Sequence, residues 1–256
     1  MKLPVIFVAF IFIMIYSSCQ NTDDHIPIKE KICNINLENS NNPLDSVGIM
    51  HNYYIMHIVD SFVTNNISYF SHQMICNLGL DYAETYIINW FTPPTTFELS
   101  CQTLDSILAT SPEITVQNRA SYLEELYDDI NAIHDSEMDL EERIDAYKDL
   151  EDNPPTFNNS IDSVLYFSGL ATIKYSTYLW YPESDCGSGY LEISLDLISF
   201  RNKLETRTPR WARIMKSDFI GAWGGALGGA ILGPGGAAGG AVGGATTNSL
   251  NNAFGE

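Results

Sequence analysis

Four side chains in one short stretch have the types that could do chemistry: His51, Asn52, His57 and Asp60. Two imidazoles and a carboxylate are the parts of a metal-dependent hydrolase, in which a bound cation would activate water. The spacing argues against it. His57 and Asp60 are three apart, share a helical face and can form an orienting pair. His51 lies six positions before His57, more than about 100° away around a helix axis. One helix therefore does not present both imidazoles to one metal, as a pair four apart would. The competing reading is structural: His51 and Asn52 bond the backbone at a helix start or cap a neighbouring helix. The chain also lacks a G-x-S-x-G elbow, a P-loop and a dinucleotide-binding glycine fingerprint. The sequence thus favours a non-enzymatic protein with no catalytic residues, no metal and no cofactor. A metal-dependent hydrolase using His51, His57 and Asp60 is the alternative.

The chain has 256 residues with 32 acidic and 13 basic side chains. Such an excess of negative charge repels phosphate backbones, so nucleic acid is not an expected partner. The N-terminus carries Lys2 and then an uncharged run, Leu3–Tyr16. That run is shorter than the roughly 20 residues a spanning helix needs and has the layout of a signal peptide. Ser17-Ser18-Cys19 resembles a lipobox, with cleavage after residue 18 and lipid on the Cys19 thiol. Several acyl chains anchor a protein stably, where one does not. Membrane lipid bound through Cys19 is then the first expected partner. The polar, acidic stretch that follows is expected to be a tether, residues 19–43. Localisation follows: an outer-membrane lipoprotein, displayed at the cell surface or otherwise kept on the periplasmic face. Export would permit disulfides among Cys33, Cys76, Cys101 and Cys186, with three pairings open.

From Leu44 the pattern turns helical. Val47, Met50, Tyr54, Ile58 and Phe62 recur at helical spacing. A second apolar segment runs from about Tyr69 to Phe91 and stops at Pro93-Pro94. Thr95 with Glu98 predicts a capping box and a helix to about Thr110. Ser111-Pro112 predicts a start for a helix to about His134. Ser136 with Asp139 predicts another, ending before Asn153-Pro154-Pro155. Asn159-Ser160 predicts the cap of a long apolar helix to Trp180, halted by Pro182. Residues 190–205 read as helix, and Thr208-Pro209 caps the last segment. The expected fold is all-α: a domain of about seven helices over residues 44–207, followed by a basic junction and tail over 208–256. The acidic segment 112–152 reads as solvated surface.

Gly48-Ile49-Met50-His51-Asn52 resembles the G-x-x-H-N motif of a family of Bacteroidota-type lipoproteins. Ala171-Thr172-Ile173-Lys174-Tyr175-Ser176-Thr177-Tyr178-Leu179-Trp180 is a looser version of that family's Ala-x-x-Ser-x-x-Tyr-Trp segment, with one extra residue before the tryptophan. Asp218, followed by Gly221-Ala222-Trp223-Gly224-Gly225, matches its aspartate and Gly/Ala zipper. The resemblance implies no activity, but it marks Gly48, His51 and Asn52 as a motif.

The tail is the most unusual part. No charged residue occurs from Phe219 to Gly255. Gly221, Gly225, Gly229 and Gly233 recur every fourth residue. After Pro234 so do Gly235, Gly239 and Gly243, beside Gly236, Gly240 and Gly244. Residues four apart share a helical face, and glycines there let a second helix approach closely. Gly233-Pro234-Gly235-Gly236 can turn the chain, which predicts two short helices in a glycine-faced hairpin. Each glycine costs a helix in water about 1 kcal/mol relative to alanine. Something must therefore order the tail: a membrane, a helical partner, or its own domain; otherwise it stays disordered. Arg201, Lys203, Arg207, Arg210, Arg213 and Lys216 precede it, with Trp211 and Trp223 at the junction. Basic residues and tryptophan beside an apolar segment suit a membrane interface. The leading expectation is therefore that Arg210, Trp211, Arg213, Lys216, Gly221, Trp223, Gly225, Gly229, Gly239 and Gly243 engage a second membrane or a helical partner through residues 219–248. The tail resembles the glycine zippers of two-peptide bacteriocins, so a toxin-like role is one version of this. Ion pairing of the basic cluster with the acidic body is the competing explanation for those cations.

Overall fold

The computed structural model describes residues 34–65, 121–191, 194, 210–229 and 233–254, with residues 74, 75, 77, 78 and 81. The expected signal peptide, Cys19, Cys33, Cys76, Cys101, the helices predicted between residues 82 and 120, most of the helix predicted over residues 190–205, and Thr208-Pro209 lie outside them. Six α-helices and one 3-10 turn carry the described residues, and none of these residues is in a strand. The helices are α1 (Asp45–Thr64), α2 (Ser121–Asp135), α3 (Leu140–Asp152), α4 (Ser160–Trp180), α5 (Arg210–Gly229) and α6 (Gly233–Phe254). The all-α expectation holds.

Local sequence explains the boundaries. In α4, the Asn159 side chain accepts from the Asp162 N–H, and Tyr181-Pro182 ends the helix. Asp139 and Glu142 form a reciprocal capping box at the start of α3. The predicted cap at Ser136 is therefore three residues early: the Ser136 hydroxyl instead donates to the Ile133 carbonyl and closes the end of α2. Arg143 finishes that corner. Its guanidinium donates to the carbonyls of Ile133, His134, Ser136 and Met138, the loose carbonyls at and beyond the C-terminus of α2. The tail departs from expectation in two ways. Its helices are 20 and 22 residues long, not short. Gly233–Gly236 do not form the turn; they begin α6. Pro234 is accommodated there because first-turn N–H groups lack intrahelical partners.

α4 is the centre of the molecule. It is apolar on all sides, as helices buried on all sides are, and 17 of its residues are buried. α1 lays the predicted stripe against it: Val47, Met50, Tyr54, Ile58 and Phe62 are all buried. The main core gathers residues of α1 to α6. A smaller core lies at the far end of α1, where Ile58 and Phe62 meet Trp180, Ile214, Met215 and Leu250. α6 is buried at every position from Ala237 to Leu250. α2 and α3 cover one side with amphipathic faces; Leu123, Leu126, Ile130, Ile144 and Tyr147 face inward. Glu125, Glu141 and Glu142 are exposed, as their solvated reading predicts.

Candidate functional site

Two features could carry function: the glycine hairpin, and a polar cluster sealed beside it.

The hairpin closes on itself. A methyl group on Gly225 would overlap the Gly240 carbonyl oxygen, and one on Gly221 would overlap that of Gly244. The same holds in reverse for Gly244 against Gly221. These are backbone-to-backbone contacts, open only to residues without a Cβ. Gly221 and Gly225 thus meet Gly240 and Gly244. The predicted partners, Gly239 and Gly243, are buried one position away from this contact row; Gly243 accepts the Thr247 hydroxyl through its carbonyl. Gly229 is the last residue of α5.

The expected interfacial anchors are occupied inside the protein. Trp223 is buried, donates its indole N–H to the Leu165 carbonyl at 3.0 Å and packs on Phe219 at 4.6 Å between ring centres. It enters a notch in α4 at Gly169, where a methyl would lie 2.6 Å from the indole nitrogen. Trp211 packs on Tyr181, with ring centres 4.5 Å apart, and on His134 at 6.3 Å. Arg213 is exposed and Lys216 half-buried; Arg210 begins α5, and its side chain lies outside the description. Among the described residues, no helix is long and apolar enough to cross a membrane. Of the states open to the tail in sequence, this structure holds the one packed on its own domain. Engagement of a membrane or a second helix by this face would require the hairpin to leave the bundle.

The polar cluster joins the three short motifs. Gly48 lets α1 approach α4 so closely that a methyl would overlap the Ala171 carbonyl. Asn52 then donates to the Tyr175 carbonyl at 3.0 Å. That bond points its amide oxygen at His51 Nδ1, 3.0 Å away, so Nδ1 carries the proton. The bare Nε2 faces Asp218 Oδ2 at 3.6 Å, outside hydrogen-bond reach. Asp218 Oδ2 accepts from the Ser176 hydroxyl and from the Trp180 indole at 3.2 Å. Trp180 also donates to Ser249 on α6, at 3.2 Å. Burial drives both central groups to their neutral forms: the His51 pKa falls to about 4, and that of Asp218 rises well above the carboxylate range. A protonated Asp218 facing a bare imidazole nitrogen is also the arrangement that avoids repulsion.

Histidine, aspartate and serine occur together here, but not as a hydrolytic relay. In such a relay the imidazole lies between the hydroxyl and the carboxylate. Here the carboxyl lies between, and His51, Ser176 and Asp218 have no exposed surface for a substrate to reach. The hydrolase trio is dispersed. His51 is in the core, while His57 is half-buried and Asp60 exposed, next to each other on the opposite side of α1. No group of three His, Cys, Asp or Glu side chains among the described residues could hold a metal. Sequence reasoning singled out His51, Asn52 and Asp218 but missed Ser176, Trp180 and Ser249 as their partners.

It also missed a second buried cluster. Lys174, in the middle of α4, has no exposed surface and contacts Asp45 and Glu151. A lone lysine in an apolar helix was the available signal, since buried charges are paired. Cys186 is disulfide-bonded. No family model, curated protein or solved structure matches the chain.

Proposed function

We propose that this protein is a non-enzymatic cell-envelope lipoprotein, held to the outer membrane through Cys19, whose glycine zipper uses its own bundle as the helical partner. The observation that carries the reading is the backbone contact of Gly221 and Gly225 with Gly240 and Gly244, together with the burial of α6. A zipper face already filled by glycine backbone has no room for another helix. The lipid then supplies membrane attachment, and the tail supplies the core of the displayed body. The sealing of the His51–Asp218 cluster supports a role without catalysis.

Liposome flotation tests this. The lipidated chain should float with anionic liposomes, and a Cys19→Ser chain should stay at the bottom, with its tail protected from hydrogen exchange whether lipid is present or not. Flotation of the Cys19→Ser chain, with tail protection appearing only on vesicles, would overturn the reading and favour a hairpin that leaves the bundle for a membrane.

A further inference from the structure

We propose that Lys174 and Asp45 become joined by an isopeptide bond that the folded protein forms by itself, with Glu151 carrying the protons. The reacting groups are already in place. Lys174 Nζ lies 2.6 Å from Asp45 Oδ1, and 2.9 and 2.7 Å from the two oxygens of Glu151. The lysine and glutamate side chains have no exposed surface, and that of Asp45 has 16%. Nucleophile and carboxyl are thus held in contact, on elements fixed by the fold. Groups held in reacting alignment behave as though at concentrations on the order of 10⁵–10⁸ M, which lowers the barrier to condensing an amine with a carboxylate.

The remaining contacts suit the steps. Asp45 Oδ2 accepts from the Tyr175 hydroxyl at 2.9 Å and from the Asn39 backbone N–H at 3.3 Å. Two donors on that oxygen stabilise the negative charge it gains as the carbon becomes tetrahedral. Burial, and then the neighbouring Asp45 carboxylate, push the Tyr175 phenol upward, so it keeps the proton it donates. Glu151 is held by the amides of Asn42 at 2.7 Å and Asn39 at 2.9 Å. Burial raises its pKa, against the pull of Lys174 and the amides, toward the range useful for proton transfer.

The balance is closed. The Lys174 ammonium passes a proton to Glu151, and the freed amine attacks the Asp45 carboxyl carbon. The C–N bond forms and the bond from that carbon to Oδ1 breaks. Oδ1 leaves as water with two of the three ammonium protons, delivered by Glu151, which ends as it began. The third proton remains on the amide nitrogen, and Oδ2 becomes its carbonyl oxygen. No oxidant, nucleotide or metal enters the reaction.

The bond would tie the first residue of α1 to the middle of α4, across 129 positions of sequence. Mass spectrometry of the full chain, reduced and then digested, tests it independently of the proposed function. The peptides carrying Asp45 and Lys174 should emerge as one species, lighter than their sum by one water. Two separate peptides of full mass would overturn the proposal and leave an ordinary buried ion pair. Glu151→Gln should yield the two separate peptides; a cross-linked species from that variant would overturn the part assigned to Glu151. If Glu151→Gln does not fold, the unmodified protein's mass still decides the main claim.

Discussion

The α5–α6 hairpin and the α2–α3 pair are both two-helix units, yet they hold together in opposite ways. In the hairpin, Gly225 meets the backbone of Gly240 and Gly244, and no side chain stands between them to absorb a change. In the α2–α3 pair, Leu123, Leu126, Ile130, Ile144 and Tyr147 fill the inner side, while Glu125, Glu141 and Glu142 face water. Side chains can shift rotamers to accommodate a neighbour; a helical carbonyl cannot shift without moving its helix. The first unit should therefore be brittle and the second forgiving.

The sharpest challenge to that contrast is Gly225→Leu. Its side chain would start inside the Gly240 carbonyl, and overpacking that backbone cannot relieve costs more than the usual ~1–3 kcal/mol. Loss of the cooperative thermal transition, followed by circular dichroism, is expected. A variant melting like the parent would show that the hairpin yields after all.

The α2–α3 side has one demanding point of its own, at the end of α3. Lys174→Met leaves Glu151 buried without the Lys174 nitrogen and also removes any tie to Asp45; losing one partner of a buried pair alone costs about 3–5 kcal/mol. Urea unfolding should register a loss of this size; a change under about 1 kcal/mol would mean that the cluster is not desolvated as placed.

A smaller effect is the pH dependence of the His51–Asp218 cluster. The folded His51 pKa of about 4 lies below its ordinary 6.5. The unfolded chain therefore binds the extra proton first as pH falls. The stability His51 protects is full above pH 6.5 and is lost between 6.5 and about 4. Asp218 has the opposite sign: its raised pKa favours the fold at low pH and costs stability as pH rises above the ordinary carboxylate value. The isolating comparison is the parent against His51→Leu. Relative to that variant, the parent should lose on the order of 3 kcal/mol as pH drops through this window, at about 1.4 kcal/mol per pKa unit. Parallel pH curves would contradict a neutral, buried His51.

Smaller effects belong to the forgiving unit and to the exposed face. Asp139→Ala removes the α3 cap and should cost about 1 kcal/mol in urea unfolding. Arg213→Ala, at an exposed position beside the brittle seam, should stay within about 0.5 kcal/mol of the parent. A larger loss there would mean that the basic junction pairs with the acidic body.

Sequence carried the fold further than the site. The α1 stripe, the Asn159 cap and the stop at Pro182 were readable because each depends on neighbours along one helix. Glycines every fourth residue announced a close helix contact for the same reason. The contact row itself, Gly240 and Gly244 rather than Gly239 and Gly243, depends on how two helices rotate about their axes, which a repeat of four leaves open when glycines come in adjacent pairs. Trp211 and Trp223 left two readings open because indoles at an interface and indoles in a core have the same sequence neighbours. The partners of Asp218 and Lys174 come from other helices, so no local pattern named them, although a lone Lys174 among apolar residues asked for one.

The burial of α6 also sets an order of events. α1 and α4 leave the ribosome before α6, and until α6 arrives they have apolar surface with nothing to cover it. The body cannot be completed in step with its synthesis. A chain whose keystone comes late stays open longer, and it closes only once the glycines of α6 have been made.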